Sequence, residues 1–402
     1  MTAKCVTIEE AEIQIIQKAI KHITGTVGIS VIKNKLDIHL YSPQNGIVSI
    51  ENLKVKNDGH SDFKISVGFN EFCKTLDRTS LGPKSLKLTL DNTTNSLKVK
   101  IGKMTANLPV NSYDSIDSRI DRKETIEIGE FSVSSLHKLK TGLKPLCIGN
   151  TSKVVISEDT VISLDILKRT LIYYTTLDLP FKSKVKTKSN KEISTILGFS
   201  IEQFNFLQNS ALSIFSKISD TDKIKVYAVC VNNIVTMIQA TIDSKTAKFD
   251  IYARLLDELE YIKALQVIPH CKSFKKDYNF LVKALDLALS VGSSDILSLD
   301  YIGFSNEKNT KKMSVISEFG NFTDEVDIES NVKFKLFTFT DYIKSILSES
   351  AGPVDVKISL NASMPIICID CSPNTYFVSC LNTTTLPYKV GEVEKSTCLA
   401  QK

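Results

Sequence analysis

Cys368-Ile-Asp-Cys371, with Cys380 nearby, has the spacing of a zinc-binding cysteine pair, which needs both thiolates to converge on one metal. The residues from Ile366 to Cys371 read as a strand, however, where positions three apart face opposite sides, so no metal is expected. The histidines, His22, His39, His60, His137 and His270, share no motif with a serine, a cysteine or a carboxylate pair, and His137 reads as a polar helix residue. Gly149-Asn-Thr-Ser-Lys153 lacks the glycine spacing of a phosphate-binding loop. The acidic pairs Glu9-Glu10 and Asp324-Glu325 fall at a helix start and a turn, where the helix dipole and turn preferences account for them. With no nucleophile and base in convergence, the sequence points away from an enzyme and calls for no cofactor.

The chemistry that the chain does distribute widely is cationic. Lys18, Lys21, Lys74, Arg78, Lys138, Lys140, Lys144, Lys276, Lys283 and Lys344 lie on helical stretches whose other face is apolar, with Gln and Asn between them. Dispersed long cations suit contact with phosphates and do not read bases. Any solvated amphipathic helix shows lysines, so one such face says little. Recurrence over six helices with few exposed acids, diluted by Asp77 and Asp286, favours a functional cationic face over a merely solvated one. The net charge of +5, from 50 basic and 45 acidic side chains, excludes a protein basic over its whole surface.

The elements that must carry these residues follow from hydrophobic periodicity, which switches between 3.6 and 2 and gives an α+β protein with more strand than helix. Thr7 and Glu10 have capping-box spacing, and Ile8, Ala11, Ile15, Ala19 and Ile23 share one face of a first helix that Gly25 ends. A second helix over about Asn70 to Arg78 buries Phe69, Phe72, Cys73 and Leu76. A hairpin follows, with Leu86, Leu88 and Leu90 alternating against Leu97, Val99 and Ile101, and the segment closes in Leu108-Pro109-Val110 and a polar linker.

The same order recurs twice. The second copy has a helix near Ser132 to Leu143, strands around Lys153 to Tyr174, a helix near Ser200 to Ser213 and a hairpin turning at Asn232-Asn233. The third has a helix over Lys275 to Ser290, strands from Ile296 to Phe339, a helix capped by Thr340 and a hairpin of Val354 to Leu360 with Ile366 to Cys371. Phe69-Asn-Glu-Phe-Cys-Lys-Thr-Leu76 before Leu86-Lys-Leu-Thr-Leu90 corresponds to Phe339-Thr-Asp-Tyr-Ile-Lys-Ser-Ile346 before Val356-Lys-Ile-Ser-Leu360. Three modules result, over 1–124, 125–262 and 263–402, and the lysine-rich stretch Lys182 to Lys191 reads as an exposed, flexible loop in the middle one. Three domains also suit 402 residues.

A module of helix, sheet, second helix after a Phe-containing strand, and closing hairpin resembles the bacterial β sliding clamp family over nearly the whole chain. Met313-Ser-Val-Ile-Ser-Glu318, Gly320-Asn-Phe-Thr-Asp-Glu-Val326, Asp341-Tyr342-Ile343 and Tyr376-Phe377-Val378 are the local matches. The chain departs from the pattern in two places. Ser163-Leu-Asp-Ile-Leu-Lys-Arg-Thr-Leu171 stands where the family has Ala-Thr-Asp-Gly-His-Arg-Leu, and a tail from about Lys389 runs past the family's usual end. Such divergence suggests a phage-encoded or otherwise remote member.

The resemblance implies a processivity clamp whose helices line a hole around double-stranded DNA, bound without sequence specificity, two chains closing head to tail into a ring of six modules. It implies as partners a DNA polymerase and a clamp loader. It implies a partner-peptide groove aligned with Leu171, Phe199, Phe204, Phe377, Val378 and Leu381. The rival reading is a clamp-like interaction or scaffold protein that never closes; a hydrolase is the third. Nine cysteines, mostly in apolar runs, imply reduced buried thiols, and the lack of a long apolar span or an apolar N-terminal core implies the cytoplasm, that of the host for a phage protein.

Overall fold

The computed structural model describes residues 4–20, 25–57, 62–77, 85–113, 124–147, 152–157, 160–165, 170–175, 182, 184–187, 190–215, 223–244, 247–257, 278–281, 296–302, 310–317, 320–325, 334–349, 355–359, 366–371 and 374–379. The chain divides into two compact units. The first takes residues 1–137, 180–195 and 202–256, and the second takes 138–179, 196–201 and 257–402, so the division falls inside the middle expected module.

One set of strand pairings occurs three times. In the first repeat, β1 (Lys4–Glu9) precedes α1 (Glu10–Ile20), and β2 (Thr26–Ile32), β3 (Lys35–Ser42) and β4 (Gly46–Lys54) form a meander. β5 (Lys56–Asn57) pairs β1, and β6 (Phe63–Gly68) pairs β2 and leads into α2 (Phe69–Asp77). Then β7 (Ser85–Asp91), β8 (Ser96–Ile101) and β9 (Met104–Asn111) form a second meander, with β1 on β7.

The second repeat runs β10 (Glu124–Ser132), α3 (Val133–Leu143), β11 (Ser152–Ser157), β12 (Thr160–Asp165), β13 (Thr170–Thr175), β14 (Lys184–Lys186), β15 (Glu192–Ser194), β16 (Leu197–Ser200) and α4 (Ile201–Phe215). It ends in β17 (Lys223–Val231), β18 (Ile234–Asp243) and β19 (Lys248–Arg254). The third runs β20 (Tyr278–Leu281), β21 (Ile296–Ile302), β22 (Thr310–Ser317), β23 (Gly320–Glu325), β24 (Phe334–Phe339), α5 (Thr340–Ser348), β25 (Asp355–Ser359), β26 (Ile366–Cys371) and β27 (Asn374–Ser379). β10 pairs β17 and β20 pairs β25, as β1 pairs β7; β11 pairs β16 and β21 pairs β24, as β2 pairs β6.

Two further pairings join consecutive repeats. β19 lies antiparallel on β4 from Lys248↔Glu51 to Ala253↔Gly46, inside a 13-stranded sheet of the first unit. β27 lies on β13 from Ile172↔Val378 to Thr175↔Thr375, inside an eight-stranded sheet of the second unit.

The core follows from alternation. Leu86, Leu88 and Leu90 on β7, and Leu97, Val99 and Ile101 on β8, are buried, and the lysines between them point away. Asn232 and Asn233 both take positive φ, 51° and 63°, as the tight β17–β18 turn requires. Gly142 in α3 is needed for close approach, since a Cβ there would stand 2.5 Å from the Tyr174 hydroxyl.

Three expectations need correction. Thr7 does not cap the first helix, because it sits in β1, in register with Lys87. Val6 and Ile8 are buried as alternate strand residues, α1 begins at Glu10, and its buried face is Ile13, Ile16, Ala19 and Ile20, with Ala11 exposed and Ile15 half-buried. The helix expected over Lys275 to Ser290 contains a strand instead at Tyr278–Leu281, held by β25; the rest of that stretch lies outside the described residues. The stretch Lys182 to Lys191 is a hairpin rather than a flexible loop: Val185 and Ile193 are buried, and Lys184 pairs with Glu192 at 3.2 Å.

Candidate nucleic-acid interface and partner groove

α1 and α2 are fixed to one another by Gln17, whose Nε2 donates to the Leu76 carbonyl at 2.8 Å. Burial of Phe69, Phe72, Thr75 and Leu76 turns Lys74 outward, and burial of Ile13, Ile16 and Ile20 leaves Lys18 half-buried at the edge of its helix. On α3, Lys138 and Lys140 are exposed. Lys144, in the 3₁₀ turn after α3, is exposed as well, and its Nζ lies 2.5 Å from Glu349 Oε1 at the end of α5. That carboxylate answers part of its charge.

Lys344 lies on α5 with its side chain outside the described residues, and Lys21, Arg78, Lys276 and Lys283 also lie outside them. The helices carry more exposed acid than the expected sparse pattern, since Glu10, Glu71 and Asp77 face solvent on α1 and α2. Glu10 and Glu71 occupy first turns, where they complement the helix dipole.

Of the six residues expected to form a peptide groove, Phe199 and Val378 share one face of a sheet and Phe377 lies on the other. Register puts Phe199 in line with Val154, Ser163, Ile172 and Val378 across β16, β11, β12, β13 and β27. Phe199 and Val378 are fully buried on that sheet face. The face also carries Tyr376, which stacks on Tyr174 at 5.2 Å and donates its hydroxyl to the Gly142 carbonyl of α3 at 3.0 Å. Burial pushes the Tyr376 hydroxyl well above the ordinary tyrosine range, so it stays a donor.

Phe377 is half-buried on the opposite face of the sheet, and Phe204 is buried in α4. Leu171 lies in β13 opposite Leu164 of β12, with its side chain outside the described residues; Leu381 lies outside them entirely.

A cluster that sequence reasoning missed lies at the β4·β19 joint, where Tyr41, Ile47, Val229 and Tyr252 are buried together with Met237 against them. Its face also holds a polar network. Asp250, with its side chain fully buried, accepts from Thr241 Oγ1 at 2.7 Å, Gln239 Nε2 at 2.9 Å and Lys248 Nζ at 2.6 Å. Lys248 also approaches Glu51 at 3.7 Å, Ser49 donates to Glu51 at 3.2 Å, and Ser49 Oγ lies 2.8 Å from His39 Nδ1. Alternation would have placed these residues on one face, but only the pairing of β4 with β19 brings the two halves together.

Cys368 and Cys371 lie on one strand as expected, and no group of residues that could hold a metal occurs among the described residues. Cys73 is half-buried on α2, and burial with Asp77 nearby pushes its thiol up to about 12. A thiol so seldom ionised is a poor nucleophile. Brief treatment with iodoacetamide at pH 8 is therefore expected to leave Cys73 largely unmodified in the native protein and to label it fully in urea, as read by peptide mass spectrometry.

A helix-backed meander, a second helix and a closing hairpin, repeated and joined strand to strand, define a DNA-clamp fold. Within that class, the fold is similar to that of bacterial sliding clamps. It matches the DNA polymerase sliding clamp from Bacillus subtilis at 13% identity and a TM-score of 0.62, covering 95% of this chain and 100% of that one. It matches a DNA polymerase III beta subunit from Eubacterium rectale at 13% and 0.64, covering 95% and 100%, and Caulobacter crescentus pol III beta at 14% and 0.63, covering 94% and 100%. No family model and no curated protein matches the sequence. At such identities the likeness is one of fold.

Proposed function

We propose that this chain is a DNA sliding clamp of three modules, 1–124, 125–262 and 263–402, which closes with a second copy into a ring around duplex DNA. In this reading it has no catalytic activity, tethers a DNA polymerase in the cytoplasm, and relies on a clamp loader for opening. The observation that carries the reading is the repeated joint, β4·β19 and then β13·β27, because a rule that joins consecutive repeats can also join one chain to the next. The clamp fold over nearly the full length supports it, as do the exposed Lys74, Lys138 and Lys140.

DNA is held by Lys18, Lys21, Lys74, Arg78, Lys138, Lys140, Lys276, Lys283 and Lys344, with Lys144 weakened by Glu349. Contacts to phosphate alone leave the ring free to slide. Partner peptides dock near β27, with the half-buried Phe377 as an apolar anchor, and Phe199 and Val378 are buried on the other face of that sheet.

The test is solution mass by light scattering together with retention on nicked circular DNA before and after linearisation. A dimer that leaves only the linear form is the expected result. A monomer retained equally on both would leave the fold and make the chain a clamp-like scaffold that does not encircle DNA.

A further inference from the structure

The hairpin of Lys182 to Lys191 lies on no helix, yet it carries most of the chain's net charge. Residues 182–195 hold five lysines, Lys182, Lys184, Lys186, Lys188 and Lys191, against one acid, Glu192. Those residues supply +4 of the chain's +5, so the rest of the chain is close to neutral. A solvated surface needs charge, but it does not need one sign gathered in one place; such a patch sets up a local field for an anion.

The hairpin is held at its base, its middle and its tip. β14 pairs β15 from Lys184↔Ser194 to Lys186↔Glu192, and alternation buries Val185 and Ile193 while it turns Lys184 and Lys186 out on the other face. At the base, the Lys182 amide donates to the Ile128 carbonyl at 2.8 Å, where a bulge between Glu127 and Gly129 shifts the register of β10 on β17. The Thr195 hydroxyl donates to the Lys182 carbonyl. At the tip, the amide and the hydroxyl of the buried Thr187 both donate to the Lys191 carbonyl, at 2.9 and 3.1 Å, and Asn190 turns the chain at a φ of 60°.

Lys182, Lys184, Lys186 and Lys191 are all exposed on this frame, and Lys188 lies outside the described residues. Lys184 meets Glu192 at 3.2 Å, with both side chains more than half exposed, so water weakens that pair. Lys182, Lys186 and Lys191 make no ion pair among the described residues. A backbone already fixed lowers the ordering cost of presenting these cations to a ligand.

The residue types select the ligand. The exposed positions of the hairpin are lysine, glutamate, asparagine and serine, with no apolar anchor of the kind that gives a docked peptide most of its affinity. Residues 182–195 contain no aromatic side chain on which an unpaired base could stack, and no arginine to read a base edge. Lysine alone meets phosphate as a point charge. Duplex DNA presents one charge per about 1.7 Å of axis, about twice the linear density of a fully acidic peptide in a strand.

We propose that the β14–β15 hairpin is a second contact for duplex DNA, separate from the helix faces, in which Lys182, Lys186 and Lys191 hold phosphates. The proposal rests on the DNA-binding part of the clamp reading and needs no closed ring.

Fluorescence anisotropy of a labelled, short, blunt-ended duplex with the full chain tests it, since encirclement cannot retain the protein on open ends. Lys182→Gln, Lys186→Gln and Lys191→Gln together are expected to weaken binding about tenfold at 0.1 M salt and to lower the slope of log affinity against log salt by roughly 2.7. The melting point and solution mass should not move, because the buried Val185 and Ile193 are kept. Glu192→Gln, which frees Lys184 and removes the hairpin's acid, is expected to tighten binding about threefold. An oligoglutamate of matched charge is expected to compete at least tenfold less well than unlabelled duplex, on the order of the difference in charge density and counterion release. Unchanged affinity and slope in the triple variant overturn the contact and leave the ring reading to its own test. Oligoglutamate that competes as well as duplex also overturns it, and makes the hairpin a dock for acidic proteins. Hairpin-dependent binding by a chain that leaves circular DNA as readily as linear would sink the ring and uphold this contact.

Discussion

Reversing Lys74, Arg78 and Lys140 to glutamate together is expected to shorten retention on nicked circular DNA about tenfold or more at 0.1 M salt, with solution mass unchanged. Lys74 and Lys140 are exposed on α2 and α3, and Arg78 follows the last residue of α2 in sequence. Each cation that neutralises a phosphate adds about 0.9 to the slope of log affinity against log salt, so losing three lowers that slope by roughly 2.7. Lys144→Glu alone is expected to do less, because Glu349 already answers that charge. Unchanged retention and slope in the triple variant would remove the helix faces from the mechanism.

The second large effect is on stability. Asp250→Ala is expected to cost about 3 kcal/mol, because it strands Thr241, Gln239 and Lys248 beside a buried site instead of removing one bond cleanly. The figure lies at the lower end for a broken buried pair because the Lys248 side chain is 34% exposed and water answers part of its charge. For a unit of this size, the loss corresponds to a melting point lower by roughly 6 to 12 °C. Asp250→Asn, which keeps acceptor capacity, is expected to lose less than half as much. A shift within 2 °C for Asp250→Ala, on the order of 1 kcal/mol or less, would mean that the network adds nothing to the joint between β4 and β19.

Local pattern was enough for much of the chain. Leu86 to Ile101 alternate with period 2 and form the expected hairpin; Phe69, Phe72 and Leu76 recur with period near 3.6 and form the expected helix. Asn232-Asn233 marks a turn because asparagine tolerates positive φ. The same locality explains the misses. Lys4–Glu9 and Tyr278–Leu281 are short strands held by β7 and β25, which lie some 80 residues further along the chain. Helical periodicity running through the following residues absorbed them. Phe377 and Val378 part for a related reason: alignment places them side by side, but adjacent strand residues face opposite ways.

By itself, the sequence determined the repeat, the α+β class, the amphipathic helices and the cations along them, because each depends on residues within a turn or two of one another. Tertiary structure alone decided which strands meet across repeats. It buried Phe199 and Val378 on one sheet face, set Lys144 against Glu349, and assembled the Asp250 network from β18 and β19 with Glu51 and Ser49 of β4 beside it. These features depend on backbone hydrogen bonds between residues far apart in sequence, and a backbone amide or carbonyl is the same in nearly every residue. Side-chain pattern therefore carries the elements, while the pairing that turns them into joints is settled only when the whole chain is packed.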